Sequence, residues 1–355
     1  MQSRLPVRIA GSPLEIGRAL GRLAHPAMSK VIVHTDAWKK LLKWRGDSAL
    51  VRRMEATRDL FPDLWQEIHG LSLGLDMDVQ DVFLWNCRAD LMPDAIASSM
   101  SIAVNRLTSR SILYVLQQNG LPGDHVSLVE VNPSGKPVFL GLCHPGCVPG
   151  STIAFTRNGL LQAVNDLPCE WDDDGIPSAL IGRAVLGAES LADAIDGVTQ
   201  CPRSGCAHHI LASAHEFIML SIEAAGAHRS VLPVSSKYMH GNAPVHRATG
   251  VVRHEAKDRR QPDYVRVSGF LNSMPDHPAD DEVLELFGRL SQGKSCDGPG
   301  GVTPLLSEDA SAVALVQANE GAIGLRLCLR SQGQVHELNV EWPFAGSQGR
   351  PEREA

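Results

Sequence analysis

A change of hydrophobic period near residue 99 is the feature that most constrains the fold. Up to about residue 90, apolar residues recur every three to four positions, which is the spacing of amphipathic helices. From Ser99 onward apolar and polar residues alternate, which predicts strands at 99–105, 112–118, 126–131, 138–142, 152–155 and 160–164. Turn residues such as Asn132-Pro133-Ser134-Gly135 separate these patterns, so we expect one sheet of consecutive hairpins.

Four helices are predicted before that change. Ser12, Pro13 and Glu15 have the form of a capping box at the start of the first helix. Gly17 and Gly21 would let a neighbouring element approach that helix closely. The other helices are expected at 38–60, 64–73 and 78–90, with a break at 61–63.

The second half of the chain repeats the order of helices followed by strands. A helix pair is predicted at 179–186, preceded by a start signal at 176–178, and at 190–195, and strand patterns follow at 209–212, 217–223, 312–316, 324–329 and 335–340. Helices, sheet, helices and sheet in this order predict a single α+β layered domain over residues 1–345. Residues 346–355 are polar and are expected to form a flexible tail.

Charge and hydropathy exclude several classes of partner. The chain has 40 acidic and 33 basic residues, a formal charge of −7, and its basic residues form no stripe. We therefore predict no nucleic-acid partner. No run of 18 apolar residues occurs and no apolar segment follows the amino terminus, so we predict no membrane partner and a cytoplasmic location. A homo-oligomer is compatible with the sequence.

Motifs for cofactor or metal chemistry are weak. Cysteines and histidines cluster at 143–147 and 201–209, but with Cys-x3-Cys and Cys-x4-Cys spacing rather than the Cys-x2-Cys of structural zinc sites. The glycine-rich run at 296–301 lacks the Lys-Ser/Thr pair of a phosphate-binding loop. No Gly-x-Ser-x-Gly nucleophile elbow occurs. We predict no cofactor and no metal, and interpret His125, His144 and His246 as surface or core histidines.

The serine pair that opens the first strand suggests a different chemistry. A serine hydroxyl becomes a competent nucleophile when the peptide bond before it is cut, because the freed α-amine then serves as its base. An α-amino group has a pKa of about 7.7–8, so a useful fraction is unprotonated at neutral pH. Ser-Ser pairs are also common in turns, so the residues around Ser98 and Ser99 decide the interpretation.

Those residues form an ordered series of short motifs over about residues 8–270. The series is Gly11-x5-Gly17-x3-Gly21, Phe61-Pro62-x4-Glu67-x2-Gly70, Leu84-Trp85-Asn86, the serine strand, Gln118-Asn119, Asn158-Gly159-Leu160, Val164-Asn165-Asp166-Leu167, Gly175-Ile176-Pro177 with Arg183, Ser190-Leu191-x2-Ala194, Ile222-Glu223 and His240-Gly241-Asn242. In order and spacing it resembles the isopenicillin-N acyltransferase-like family of amino-terminal-nucleophile hydrolases.

The resemblance implies a four-layer αββα sandwich and a nucleophile at the head of a sheet strand. Cleavage between Ser98 and Ser99 would give a helical chain of residues 1–98 and a second chain of residues 99–355. By match to the family's His-Thr-Asn motif, Asn242 would donate a hydrogen bond to the oxyanion of the tetrahedral intermediate. The implied activity is hydrolysis or acyl transfer at a linear, non-peptide amide, with a small acylated amine or an amino-acid amide as the substrate.

Two departures from the family pattern fall on the implied active centre. The family's usual nucleophile is a cysteine in Gly-Cys-Thr-Ser, and Ser99 occupies that position here. The family follows Gln-Asn with Trp-Asp, whose aspartate orients the nucleophile's amine, but here Leu121 stands at the aspartate position. Asn119 ends the matching motif, and Asp124 is a nearby carboxylate that could take the aspartate's role.

Three further residues are open to two interpretations. Asn165 could line the pocket, but Asn-Asp is also a common strand-ending turn, and we favour the turn. Glu223 could be buried beside the site or paired at a strand end. Arg266 lies near the position of a family arginine, although the residues around it match poorly.

The departures also leave the activity open. The alternative to an enzyme is a relative that is not processed, has lost the chemistry and uses the same pocket to bind a ligand. A third possibility is a different nucleophile such as Cys87, although its place on an apolar helical face predicts an inert thiol.

Overall fold

A computed structural model describes residues 6–92, 99–119, 125–167, 175–249, 268–269, 271–280, 282–283, 310–319, 321–331 and 334–343. The predicted tail at 346–355 lies outside the described residues. The helices are α1 Pro13–Lys30, α2 Asp36–Leu41, α3 Ser48–Leu60, α4 Pro62–Leu75, α5 Val79–Asn86, α6 Arg88–Leu91, α7 Ser178–Val185 and α8 Leu191–Thr199.

Strands fill most of the remaining described chain. They are β1 Val7–Gly11, β2 Ser99–Arg106, β3 Ser111–Asn119, β4 Ser127–Pro133, β5 Phe139–Cys143, β6 Ile153–Thr156, β7 Leu160–Leu167, β8 Cys206–Ser213, β9 Ile218–Ala225, β10 His228–Pro233, β11 Lys237–His240, β12 Ala310–Ala318, β13 Ala322–Ser331 and β14 Gln334–Pro343.

The strands form two sheets rather than the single sheet expected from consecutive hairpins. The first sheet has the order β1-β4-β5-β6-β7-β8-β9-β10, and the second has the order β11-β2-β3-β12-β13-β14. The β2–β3 hairpin therefore separates from the hairpins that follow it. Pairing partners distant in the chain, such as β12 beside β3, complete its sheet, and local sequence does not encode such pairs.

Three apolar layers give the αββα sandwich that the resemblance implies. Helical residues such as Ile68 pack on the first sheet at Val129, and a second cluster, including Phe155 and Tyr114, fills the space between the sheets. A third cluster covers the outer face of the second sheet, where Leu271 packs with Ile102 and Val104. Alternate residues of β2 thus face opposite layers, as the strand period requires.

The start of the first helix and its glycines agree with the sequence prediction. The Ser12 hydroxyl accepts from the Glu15 N–H, and the Glu15 carboxylate accepts from the Ser12 N–H, which completes a capping box. A Cβ built on Gly17 would lie 1.9 Å from the backbone oxygen of Glu67. Glycine therefore permits the close packing of α1 on α4.

The single helix expected at 38–60 is interrupted. α2 ends at Leu41, a 3-10 turn covers Leu42–Trp44, and α3 begins at Ser48. Gly46 has a φ of +71°, which favours glycine, and the Asp47 side chain accepts from the Ala49 N–H as a new helix cap. The helix expected at 78–90 also divides, into α5 and α6. None of the helices among the described residues is long and apolar enough to span a bilayer.

Candidate active site

The layer between the sheets changes from apolar to polar at one end. On β7, Leu161 and Ala163 face the other sheet, and Asn165 continues the same face. On β8, His208 lies two residues before Ile210 and on the same face, so it also points into that layer. Ser99 and Ser101 lie on the face of β2 that is turned towards the other sheet. The polar residues of this face are all buried, namely Ser99, Ser101, Asn165, His208, Ser221, Glu223 and His240.

Ser99 is the first residue of β2, and two amide groups converge on its hydroxyl. The Nδ2 of Asn165 lies 2.9 Å and the Nδ2 of Asn242 lies 3.2 Å from the Ser99 Oγ. The Ser99 N–H donates to the Oδ1 of Asn242 at 2.5 Å. Asn242 therefore contacts both the hydroxyl and the backbone nitrogen of the same serine.

Asn242 reaches Ser99 because β11 pairs with β2. His240 lies opposite Ser101 in that antiparallel pair, so the chain beyond β11 runs towards the start of β2. The Nδ2 of Asn242 also donates to the backbone oxygen of Asp166 at 2.9 Å. This bond ties Asn242 to β7 of the facing sheet and fixes its amide between the two sheets.

Glu223 and His240 form a fully buried hydrogen-bonded pair behind these residues. The His240 Nε2 donates to the Glu223 Oε1 at 2.8 Å, and the His240 Nδ1 lies 2.6 Å from the Gly241 oxygen. Both ring nitrogens thus face acceptors. Burial opposes ionisation of Glu223, but hydrogen bonds from His240, Thr249 and the Val245 N–H lower its pKa to about 2. Of its two interpretations, burial beside the site is the one observed.

The other sequence candidates are placed as follows. Asn165 lies inside β7 with its side chain on Ser99, so our preference for a strand-ending turn was wrong. Asn119 is the last residue of β3, where its backbone pairs with Ala310. Asp124 and Arg266 lie outside the described residues, as does Ser98.

Sequence reasoning missed His208 and Ser221. The signal was present, because His208 and Ser221 share the inward face of their strands with Ile210 and Met219. His246 was interpreted from the sequence as a surface or core histidine. It is a buried histidine, but its Nε2 contacts the hydroxyls of Ser221 and Tyr238 at 3.0 and 3.2 Å.

Cys87, the alternative nucleophile, and the cysteines at 143–147 are poorly suited to nucleophilic attack. Cys87 is fully buried, and desolvation raises its pKa well above the usual thiol value. Cys143 and Cys147 are also buried, with pKa values raised by desolvation. Across the part of the chain that the structure describes, no three histidine, cysteine or carboxylate side chains are grouped to hold a metal ion.

Among the described residues, the hydroxyl of Ser99 has donors around it but no side-chain base. Within the described residues, its two hydrogen-bond partners are the Nδ2 groups of Asn165 and Asn242. Neither amide nitrogen can accept a proton from the serine. The atom of this site that could become a base is the Ser99 nitrogen itself, once its peptide bond is cut.

A buried serine at the head of a strand, two facing amides and an αββα sandwich define the class of amino-terminal-nucleophile proteins. A family model described as acyl-coenzyme A:6-aminopenicillanic acid acyl-transferase matches residues 119–296, which is half of the chain. The chain belongs to this family, as the sequence motifs predicted.

Proteins similar to the chain include a curated hydrolase and a solved amidase structure. The beta-alanyl-dopamine/carcinine hydrolase of Drosophila melanogaster is 25% identical over 172 residues, covering 42% of this chain and 44% of that protein. The match thus spans less than half of the length of this curated relative. The solved structure of a Caenorhabditis elegans N-acylethanolamine-hydrolyzing acid amidase ortholog superposes with a TM-score of 0.42 at 12% identity, covering 61% of this chain and 91% of that one.

Proposed function

We propose that this protein is an amide hydrolase or acyltransferase whose nucleophile is Ser99, released by cleavage of the bond between Ser98 and Ser99. The observation that carries the proposal is the hydroxyl of Ser99 at a strand start, contacted by two amide donors and, among the described side chains, by no base. The α-amine that cleavage would free lies on the same residue and can serve as the proton acceptor of this hydroxyl.

The reaction then follows in two steps. The freed α-amine takes the proton of the Ser99 hydroxyl as Oγ attacks the substrate carbonyl, and the tetrahedral oxyanion forms beside the Nδ2 groups of Asn165 and Asn242. As the intermediate collapses, the carbon–nitrogen bond of the substrate breaks. The leaving amine takes the proton from the α-ammonium group of Ser99, and the acyl group stays on Oγ as an ester. Water or a second amine then attacks this ester and restores the enzyme.

The substrate class is a small N-acylated amine. The acyl-transferase family and the printed name of the Drosophila relative both concern acyl groups on small amines, which supports this class for the present chain. The buried, polar surroundings of Ser99 support a substrate that reaches the nucleophile with its amide group rather than with a long polymer chain. We retain the cytoplasm as the predicted location.

Denaturing mass spectrometry tests the proposal directly. We expect two fragments whose masses correspond to residues 1–98 and 99–355, with Ser99 as the new amino terminus. Ser99→Ala should give an intact chain, Ser99→Cys should still be cleaved, and Ser98→Ala serves as the matched control that keeps the nucleophile. Cleaved wild type should also form an ester with an acyl-amine substrate, detected as a mass increase on the 99–355 fragment.

If the wild-type chain stays intact in the same experiment, the proposal of a self-cleaving enzyme is wrong. An intact wild-type chain that binds N-acylated amines as tightly as its Ser99→Ala variant would identify the non-processed ligand-binding alternative. The replacement of the family's cysteine by Ser99 and of its aspartate by Leu121 is what favours that alternative.

A further inference from the structure

The carboxamide of Asn165 can be placed in two orientations, and only one of them supplies a donor to the site. As it stands, Nδ2 faces the Ser99 Oγ at 2.9 Å, while Oδ1 lies 3.1 Å from the Nδ1 of His208 and 3.2 Å from the Ser101 Oγ. A half-turn about the last side-chain bond would exchange the oxygen and the nitrogen with little change in shape. The orientation therefore depends on which neighbours donate and which accept.

His208 is held in its neutral form. It is fully buried, and desolvation together with the charges of His240, His209 and His246 lowers its pKa well below the usual value. Its ring stacks on that of His240 with centroids 3.5 Å apart and planes 4° apart. Its two ring nitrogens face the side chains of Asn165 and Ser221, and neither carries a negative charge that would stabilise a protonated ring. His208 thus carries one ring proton, on either Nδ1 or Nε2.

The two hydrogen-bond partners of His208 differ in whether one group can both donate and accept. Nε2 lies 2.9 Å from the Ser221 hydroxyl, which donates or accepts with equal ease. Nδ1 faces the amide of Asn165. If Nδ1 carries a proton, it donates to the amide oxygen. If Nδ1 carries a lone pair, it can only accept from the amide NH2. The tautomer of His208 is therefore coupled to the orientation of Asn165, while Ser221 can adapt to either tautomer.

We propose that His208 is a positioning residue that, as its Nδ1–H tautomer, turns the NH2 group of Asn165 towards Ser99. In the opposite tautomer the amide would be reversed, and a carbonyl oxygen would face the oxyanion instead of a donor. The inference rests on the proposed function in that it assigns Asn165 a share of the oxyanion stabilisation. It goes further by placing the control of that donor in His208, whose ring nitrogens face Asn165 and Ser221 rather than Ser99.

Two substitutions of His208 separate the role of its two nitrogens. His208→Asn places an amide near the position of Nδ1 and can still donate to Asn165, whereas His208→Gln places its amide near Nε2 and Ser221. Both variants lose the ring and its stack on His240, so each is the matched control for the other. We expect His208→Gln to lower kcat by about 100- to 1000-fold, the loss typical of a missing oxyanion donor, with little change in KM. His208→Asn should recover most of that loss. Equal losses in the two variants would overturn the proposal.

A measurement on the wild type keeps the inference separate from the proposed activity. Long-range ¹⁵N–¹H correlation of wild-type protein with ¹⁵N-labelled histidine reports which nitrogen of His208 carries the proton, and contacts between the rings of His208 and His240 assign its signals. The Nδ1–H pattern supports the proposal, and the Nε2–H pattern overturns it, whether or not the variants fold. If the wild type neither cleaves nor turns over substrate, the proposed function fails while this spectrum still decides how Asn165 is oriented.

Discussion

The buried pair of Glu223 and His240 allows a stability prediction that does not depend on catalysis. Glu223→Gln removes the negative charge and places an NH2 group where the carboxylate now accepts from His240, Thr249 and the backbone N–H groups of Val245 and His246. Lowering of the Glu223 pKa from 4.5 to about 2 corresponds to about 3 kcal/mol of stabilisation of the ionised form. Removing one partner of a buried pair typically costs about 3–5 kcal/mol. We expect a loss in that range at pH 7.

Urea unfolding followed by circular dichroism measures the loss, with Glu216→Gln as the control. Glu216 is exposed, so its substitution should change the free energy of unfolding by less than about 0.5 kcal/mol. Because the pKa of Glu223 is lower in the folded state, its contribution is complete above about pH 4.5 and is lost as the pH falls towards about 2. The difference between wild type and Glu223→Gln should shrink over that interval. A loss no larger than that of the control, or a difference that stays constant with pH, would refute the reasoning.

Two other predictions concern the nucleophile and the helical layer. Asn242→Ala should lower kcat for acyl-amine cleavage by about 100- to 1000-fold, because it removes one of two donors at Ser99, and unchanged kcat in a steady-state assay would contradict its role. Gly17→Ala should destabilise the fold by about 1–3 kcal/mol, because its Cβ would meet the Glu67 backbone. Gly197→Ala is its control in thermal unfolding, since the Cβ there meets nothing closer than 3.5 Å, and equal melting temperatures for the two variants would argue against the close packing.

Local sequence signals predicted the elements better than their arrangement. The capping box at Ser12 and the glycine contact at Gly17 depend on residues close in the chain or on a helix surface, and both were found. The interruption after Leu41 depends on the positive φ of Gly46, which a helical periodicity over 38–60 concealed. The division into two sheets depends on pairs such as β12 with β3, whose partners lie almost 200 residues apart along the chain.

The candidate site shows the same contrast. Ser99 and Asn242 were predicted from motifs, and the structure brings them within hydrogen-bonding distance of each other. Asn165 was assigned to a turn because the Asn-Asp dipeptide was considered alone. Its alternation with Leu161 and Ala163 would have placed it on the inward face of β7. His208 was missed for the same reason, because its alternation with Ile210 on β8 was not used.

The contacts of Asn242 bear on the loss of the family's aspartate. That aspartate orients the amine of the nucleophile, and Leu121 at its position can accept no hydrogen bond. In this structure the Ser99 nitrogen already donates to the Oδ1 of Asn242, while the Nδ2 of the same amide faces the Ser99 hydroxyl. After cleavage, Oδ1 can accept a hydrogen bond from one N–H of the new amine. The lone pair of the amine nitrogen then stays available to take the proton of the hydroxyl. One carboxamide can therefore both orient the base and stabilise the oxyanion, so replacement of the aspartate by Leu121 does not by itself remove the chemistry from this site.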